Sequence, residues 1–239
     1  MNTKSISLKE TILFYKKKLK DKNVHDFLQQ FLDDYGNKIA LASSLGVEDQ
    51  ILTHMCVAIN PKVRIFVLDT KKLHQETYNT LKTTAAKYNI SYEIYSPHEK
   101  EVSSLESLGK NFIYQSIENR KKCCHIRKIS PLSRALSTCK AWITGLRRQQ
   151  SITRNNIDTI EYDATFNMIK LNPLADWTEQ QVWSYVKKND ILYNSLHNKG
   201  YPSIGCQPCT KAIKKGESIR SGRWWWEQPE HKECGLHKS

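Results

Sequence analysis

The chain has 239 residues, 39% of them hydrophobic, which suits one large domain with a real core or a domain with an appendage. No stretch approaches the length of a membrane span and the N-terminus lacks an apolar signal region, so we expect a cytoplasmic protein with no membrane partner. The formal net charge of +13 predicts an anionic partner, either a small phosphate-like ligand or a nucleic acid.

Helical and strand-like segments alternate along the chain. Residues 8–35 have a helical spacing of apolar residues that ends at Gly36. Five short apolar runs have the length of buried strands, and they cover residues 38–42, 63–68, 91–95, 141–144 and 168–171. Helical patterns cover residues 50–59, 75–88 and 178–188, and another leads to residue 123. This alternation predicts an α/β fold with a mostly parallel central sheet flanked by helices.

Three loops follow predicted strands and should share the carboxyl edge of the sheet, where open α/β sheets bind ligands. They cover residues 43–49, 69–74 and 145–151. In the first loop, Ser43, Ser44 and Gly46 stand where a strand turns into a helix, and exposed N–H groups at such a helix start bind anions. Small residues before a helix are more often ordinary caps, so this prediction depends on the loops meeting at one edge. Basic residues beside the cysteines and glycines favour a local anion site over a nucleic-acid groove.

Four of the seven cysteines form two pairs, Cys123 with Cys124 and Cys206 with Cys209. A Cys-x-x-Cys pair suits a redox disulfide, half of a zinc site or half of an iron–sulfur site. Neighbouring residues on a helix point about 100° apart, whereas one zinc needs every sulfur at about 2.3 Å from one point. We therefore favour a [4Fe–4S] cluster, with buried structural cysteines as the alternative. Two further cysteines stand in apolar helical contexts and are expected in the core, Cys56 and Cys139.

A fifth cysteine of interest, Cys234, stands near the C-terminus with His237 three residues later. A thiol becomes a good nucleophile as a thiolate, which nearby cations favour. Arg220 and Arg223 would project together on a helix, and such a pair can hold a tetrahedral oxyanion. For the two arginines the alternative is a solvated helix face, and for Cys234 it is a frayed chain end without a chemical role. The tryptophans at 224–226 can anchor the segment.

Five separated motifs carry a family resemblance. They are residues 123–132 (Cys-Cys-His-Ile-Arg-Lys-Ile-Ser-Pro-Leu), 143–151 (Ile-Thr-Gly-Leu-Arg-Arg-Gln-Gln-Ser), 205–210 (Gly-Cys-Gln-Pro-Cys-Thr), 220–227 (Arg-Ser-Gly-Arg-Trp-Trp-Trp-Glu) and 233–237 (Glu-Cys-Gly-Leu-His). From about residue 38 to its end, the chain resembles the thioredoxin-dependent assimilatory adenylyl-sulfate reductases, within the wider phosphoadenylyl-sulfate reductase family.

This resemblance implies an adenine nucleotide α-hydrolase-like fold with a flexible C-terminal tail, a [4Fe–4S] cofactor and adenosine 5′-phosphosulfate as substrate. The tail cysteine would attack the sulfur, AMP would leave, and thioredoxin or glutaredoxin would release sulfite from the resulting S-sulfocysteine. We expect three regions, namely a helical segment at 1–35, which lies outside the resemblance, a sulfonucleotide-binding α/β domain with the iron–sulfur site at 36–222, and a catalytic tail at 223–239. A homo-oligomer is left open, and no nucleic acid is expected.

The resemblance assigns a role to each matching residue. The nucleophile would be Cys234, and the cluster ligands would be Cys123, Cys124, Cys206 and Cys209. The phosphosulfate would contact Lys128, Arg220, Arg223 and His237. The nucleotide pocket would be lined by Ser43, Ser44, Gly46, Leu68 and Gly145. As a hypothesis, Lys128 would link the cluster to the substrate, because it follows Cys124 by four residues.

One loop departs from the family pattern, since Lys71 and Lys72 stand where Gly-Arg is usual. These lysines leave open a preference for the 3′-phosphorylated nucleotide, although the four cluster cysteines generally accompany the unphosphorylated one. Two readings from other classes are a zinc- or cluster-bearing nucleic-acid-binding protein and a cysteine redox switch. The first gives Cys234 no task, and the second leaves the loops near Ser43 and Gly145 unexplained.

Overall fold

A computed structural model describes residues 7–233 and 235–236. Its centre is a six-stranded sheet in the order β3-β2-β1-β4-β6-β5. The strands are β1 (Ile39–Ser43), β2 (Arg64–Leu68), β3 (Glu93–Tyr95), β4 (Ala141–Ile143), β5 (Ile160–Asp163) and β6 (Met168–Leu171). Every neighbouring pair is parallel except β5 with β6. The predicted α/β fold with a mostly parallel sheet is confirmed.

Helices cover both faces of this sheet. They are α1 (Leu8–Lys18), α2 (Val24–Tyr35), α3 (Val47–Ile59), α4 (Gln75–Tyr88), α5 (Glu99–Glu106), α6 (Phe112–Gln115), α7 (Ile117–Cys124), α8 (Ser130–Leu136) and α9 (Glu179–Lys188). A π-helical turn, His125–Ile129, joins α7 to α8 without a break. None of the helices in the described part of the chain is long and apolar enough to span a bilayer.

The two faces of β1 show why the strand is apolar throughout. Successive side chains of a strand point to opposite faces, and a parallel sheet is covered on both. Ile39 and Leu41 pack into a core that includes residues of α1, α2, α3 and α9. Ala40 packs on the other face, together with Leu132 and Leu136 of α8. The domain boundaries proposed at residues 35 and 222 stay predictions. Helices α1 and α2, which precede the first boundary, pack into the same core as Ile39 and Leu41.

Most predicted strands and helices are found with bounds shifted by one or two residues, and two larger differences have a physical reason. Helix α3 begins at Val47 rather than at residue 50, because Gly46 takes the extended N-cap conformation and two acidic residues complete the first turn. Strand β5 was not predicted, since Ile160–Asp163 is short and gains its partners only by antiparallel pairing with β6. The helix ending at Gly36 is confirmed, and Gly36 has a φ of +51° there.

The chain order of the strands creates a crevice at one place. The chain leaves β1 for β2 and β3 on one side, and β4 then returns to pair with β1 on the other. Such a reversal separates the loops that follow the two strands, and ligands of open α/β sheets bind there. The crevice thus lies between the loops that begin after Ser43 and after Ile143.

Candidate functional site

A cavity of about 200 Å³ occupies this crevice at the carboxyl ends of β1, β2 and β4. Its lining includes every residue predicted for the nucleotide pocket, namely Ser43, Ser44, Gly46, Leu68 and Gly145. It also includes three of the residues predicted to contact the phosphosulfate, namely Lys128, Arg220 and Arg223. The two remaining predictions for the reaction, Cys234 and His237, lie outside the described residues.

The turn from β1 into α3 is held by a carboxylate. The backbone N–H and the hydroxyl of Ser44 both donate to Asp49 Oδ2, at 2.7 Å and 2.6 Å. Asp49 is 6% exposed, and this burial raises the pKa of its carboxyl to about 6. A Cβ on Gly145 would lie 2.3 Å from Asp49 Oδ1, so only glycine fits where the loop after β4 meets α3.

A second link holds the same two loops together. Arg147 Nε donates to Glu48 Oε1 at 2.8 Å, and the two side chains are 3% and 13% exposed. Arg147 also donates to the carbonyl oxygen of Trp177 at 3.2 Å. The carboxyl edge is therefore fixed by buried polar contacts between α3 and the loop after β4, which holds the walls of the crevice in place.

The four paired cysteines line a second cavity, of about 480 Å³. Cys123 and Cys124 end α7, and Cys206 and Cys209 bracket a short 3₁₀ turn. Burial raises the pKa of the Cys123 thiol and raises that of Cys209 to about 12. Among the described residues, no three His, Cys, Asp or Glu side chains are placed to hold one metal ion. Four thiols around one larger space fit a cluster with several iron atoms better than a single zinc.

Positive charge surrounds the cysteine cavity, whose lining also includes Arg120, Arg127 and Lys128. Arg127 is 3% exposed and donates to the carbonyl oxygen of Thr70 at 2.9 Å. The hydroxyl of Thr70 accepts from Cys206 Sγ at 3.2 Å. These cations suit a group of thiolates, whose negative charge they would offset.

Lys128 and Trp224 line both cavities. Lys128 belongs to the π-helical turn, and such turns are frequent at functional sites. Trp224 is 1% exposed and lies under three guanidinium groups, at 4.5 to 5.7 Å from its ring centroid. The two cavities are therefore adjacent, with a cation and a buried aromatic ring at their boundary.

Arg220 and Arg223 come together without the helix that their spacing suggested. Residues 220–222 form a turn and Arg223 forms an isolated antiparallel bridge with Thr210, while both guanidinium groups pack over Trp224. Arg223 donates to the carbonyl oxygen of Ile204 at 3.2 Å, while its Nε is buried and has no hydrogen-bond partner within the described ranges. A Cβ on Gly205 would lie 2.2 Å from Arg223 Nη2, so this glycine leaves room for the guanidinium.

The C-terminal segment, residues 228–236 where the structure describes them, borders the cavity in the crevice, which we call the substrate cavity. Glu233 lines it, and its carboxylate accepts hydrogen bonds from Arg154 Nε at 3.0 Å and Arg220 Nη2 at 3.0 Å. Leu236 also lines this cavity and packs against the core on the α8 face. Glu233, which precedes Cys234, is thus anchored to Arg220, one of the residues predicted to contact the phosphosulfate, and to Arg154.

The sequence analysis missed three residues of this arrangement, Asp49 as a turn-holding carboxylate, Arg120 and Arg154. Asp49 had a signal, because it stands in the first turn of a helix that follows a strand-end loop. Arg120 stands three residues before Cys123, but nothing in its position along the chain marks it as a contact of the C-terminal segment. Arg154 had no recognisable signal in the sequence, since its position depends on the 3₁₀ turn Ile152–Arg154.

Taken together, the fold and its two cavities define an α/β protein with a nucleotide-type crevice beside a cysteine-lined site. The family profile described as "Phosphoadenosine phosphosulfate reductase domain" matches residues 38–212. The chain belongs to this family, which confirms the resemblance predicted from its motifs.

Curated relatives include the adenosine 5′-phosphosulfate reductase of Allochromatium vinosum, 46% identical over 84% of this chain and 79% of its own length. The protein of the same name from Burkholderia cepacia is 46% identical over 89% of this chain and 85% of its own.

Among solved structures, the phosphoadenylyl-sulfate reductase of Candida auris matches with a TM-score of 0.72 at 23% identity, covering 89% of this chain and 100% of that one. The FMN adenylyltransferase of Candida glabrata, in complex with FAD and pyrophosphate, matches with a TM-score of 0.56 at 15% identity. The match covers 98% of this chain and 78% of that one. At these identities the likeness concerns the fold alone, and it confirms the predicted adenine nucleotide α-hydrolase-like architecture.

Proposed function

We propose that this protein is an oxidoreductase that reduces adenosine 5′-phosphosulfate to sulfite and AMP in sulfate assimilation. The observation that carries the proposal is the cationic crevice at the strand ends, which shares Lys128 with a cavity lined by four cysteines. Relatives named for this activity support it, since two of them are 46% identical over at least 84% of the chain.

In the proposed complex, the adenosine lies between the loops after β1, β2 and β4. Its pocket is formed by Ser43, Ser44, Gly46, Leu68 and Gly145. The phosphosulfate extends toward Lys128, Arg220 and Arg223, and we assign His237 to the same group. The buried Nε of Arg223 suits an anionic acceptor, because a buried donor without a partner is costly.

The reaction begins with the Cys234 thiolate. It attacks the sulfur of the phosphosulfate, an S–S bond forms, and the bond between sulfur and the bridging oxygen breaks. AMP leaves with that electron pair, and an S-sulfocysteine remains. A thiolate of thioredoxin or glutaredoxin then attacks Cys234 Sγ and expels sulfite. The second thiol of the reductant resolves the mixed disulfide, so the dithiol supplies both electrons.

Cationic side chains lower the barrier of the first step. The thiolate approaches a sulfur surrounded by anionic oxygens, so repulsion opposes the attack. Positive groups placed in advance offset this repulsion, and removing one donor at comparable oxyanion sites costs about 10²–10³ in rate. The contacts of Arg220 and Arg223 with Trp224 keep these two groups in place before the substrate arrives.

We further propose that Cys123, Cys124, Cys206 and Cys209 hold a [4Fe–4S] cluster. Their thiols line one cavity, and the cations around it suit the negative charge of thiolate ligands. When bound, the cluster would supply structural and electrostatic support beside Lys128. Seven cysteines with ligand-like spacing suit a reducing compartment, and we propose a cytoplasmic location.

The proposal is tested with anaerobically purified protein and substrate labelled in its sulfonate group. The unsubstituted protein should take covalent label on the peptide that contains Cys234, release AMP in equal amount and yield sulfite with reduced thioredoxin. Cys234→Ser should take no label, whereas Cys139→Ser, altered at a cysteine outside both cavities, should behave as the unsubstituted protein. Normal turnover by Cys234→Ser, or no label in the unsubstituted protein, would overturn the proposal.

A further inference from the structure

Arg120 of α7 has no surface exposure, and its charge is matched by one carboxylate. Its Nε and Nη2 donate to the two oxygens of Glu227, at 2.8 Å and 2.6 Å. The two side chains are 1% and 2% exposed. A buried guanidinium without such a partner is strongly destabilising, so the pair fixes where Arg120 points.

Two further hydrogen bonds of Arg120 go to the C-terminal segment, while its guanidinium also interacts with Cys124. Its Nη1 donates to the carbonyl oxygen of Glu233 at 2.7 Å, and its Nη2 donates to that of His231 at 2.7 Å. One rigid group therefore joins α7, the turn at Glu227 and the backbone of the segment. Bonds from a charged donor in a dry site are about twice as strong as neutral ones.

These contacts end at the peptide bond that leads into Cys234. The carbonyl held by Arg120 belongs to the bond between Glu233 and Cys234, and a peptide unit is planar and stiff. The Glu233 side chain is held separately by Arg154 and Arg220. The chain is thus fixed on its backbone and its side chain immediately before the predicted nucleophile.

We propose that Arg120 is a positioning residue, which docks the C-terminal segment so that Cys234 reaches the substrate cavity. Arg120 does not line that cavity and does not touch the substrate, so it acts on the reaction through the segment's backbone. The inference rests on the proposed function for the use of Cys234, whereas the docking itself can be measured without substrate.

The experiment compares Arg120→Lys and Arg120→Gln with the unsubstituted protein. All three are purified anaerobically so that the proposed iron–sulfur cluster is retained. Lysine keeps a charge for Glu227 but lacks the planar fork that reaches both carbonyl oxygens. Lys121→Gln is the matched control, because it removes an exposed charge from the same helix. Trypsin cleavage after Lys232 under native conditions reports how often the segment leaves its site.

Both Arg120 variants should be cleaved after Lys232 about 10 to 100 times faster, because a buried hydrogen bond to a charged group contributes about 1.5–3 kcal/mol. Transfer of label to Cys234 in a single turnover should slow by a similar factor. Affinity for AMP should not change, and Lys121→Gln should match the unsubstituted protein in every measurement. Because Arg120 also lines the cysteine cavity, iron is measured in each preparation and label transfer is expressed per iron-loaded chain.

Unchanged cleavage and label transfer in folded Arg120 variants would overturn the proposal, and so would a parallel loss of AMP affinity, which indicates a general structural defect. If neither variant folds, Glu227→Asp shortens the partner carboxylate, and the same faster cleavage is required of it. If the unsubstituted protein takes no label, the proposed reaction fails, while the cleavage rates still decide whether Arg120 docks the segment.

Discussion

Ser44 directs two hydrogen bonds at a single oxygen of Asp49, from its backbone N–H at 2.7 Å and its hydroxyl at 2.6 Å. The contact closes the turn between β1 and α3, in which Leu45 takes a left-handed φ of +62°. An aspartate there satisfies donors that would otherwise be orphaned near a helix start. It does so at the cost of burying a carboxyl, and this cost has a measurable pH dependence.

The free energy of unfolding of the unsubstituted protein, relative to Asp49→Asn, should fall as pH rises. Burial raises the pKa of Asp49 from 3.8 to about 6, so between these values the folded state binds more protons than the unfolded state. Stability linked to this proton is complete below pH 3.8 and is lost as pH rises through about 6. The expected total change is about 3 kcal/mol. About 2 kcal/mol of this change falls between pH 4.5 and 7.5, where anaerobic urea denaturation of both proteins measures it. A constant or rising difference over that range would contradict the prediction.

Gly145→Ala should weaken nucleotide binding by at least about tenfold and destabilise the fold by about 1–3 kcal/mol. The added Cβ would lie 2.3 Å from Asp49 Oδ1 and 3.0 Å from the Cβ of Glu48, so the loop after β4 must move away from α3. Calorimetric titration with AMP measures the first effect. Gly216→Ala is the control, because it adds backbone strain in open space outside both cavities and should leave AMP affinity unchanged. Equal AMP affinity for Gly145→Ala would show that this loop does not shape the pocket.

Serine at any of Cys123, Cys124, Cys206 or Cys209 should lower bound iron and visible absorbance. The four thiols line one cavity, so each substitution removes one ligand of the proposed cluster. Cys56→Ser and Cys139→Ser should keep their iron, since neither residue lines that cavity. Iron is measured per chain after anaerobic purification. Full iron content in all four cavity variants would remove the basis for the proposed cofactor.

The strand-end loops and the cysteine pairs could be predicted because each has a local signature. Small residues after an apolar run mark the turn from β1 into α3, and the parallel sheet then brings that loop beside Gly145. Cys206 and Cys209 are recognisable from spacing alone, whatever the rest of the chain does. These signatures are local in the sequence, and the structure brings the loops to one cavity and the cysteine pairs to the other.

The docking contacts could not be predicted, because their acceptors are backbone carbonyls. Any residue has such a carbonyl, so nothing in the sequence distinguishes His231 or Glu233 as a partner of Arg120. The helix on which Arg220 and Arg223 would project together does not form, for a related reason. A spacing of three residues suggests a helix, whereas packing on Trp224 brings the two arginines together without one.

Replacing Lys71 or Lys72 by alanine should change the preference between adenosine 5′-phosphosulfate and its 3′-phosphorylated form by less than about threefold. Each lysine already has a carboxylate partner, Asp69 at 2.8 Å and Glu106 at 3.1 Å. Neither lysine lines the substrate cavity. Values of kcat/KM for both nucleotides measure the ratio. A selective loss of activity on the 3′-phosphorylated form would instead show that these lysines receive its extra phosphate.

Lys128→Ala should lower the rate of label transfer to Cys234 by about 10²–10³ while leaving iron content unchanged. Lys128 lines both cavities, so its ammonium group can offset charge on the phosphosulfate beside the cysteine site. Lys128→Arg keeps the charge and should recover part of the rate, although a planar guanidinium differs in reach from an ammonium. Single-turnover transfer, iron content and AMP affinity are measured on the same preparations. An alanine variant with an intact cluster and normal turnover would show that Lys128 does not connect the two sites. A variant that loses its iron would instead place the main effect of Lys128 on the cysteine cavity.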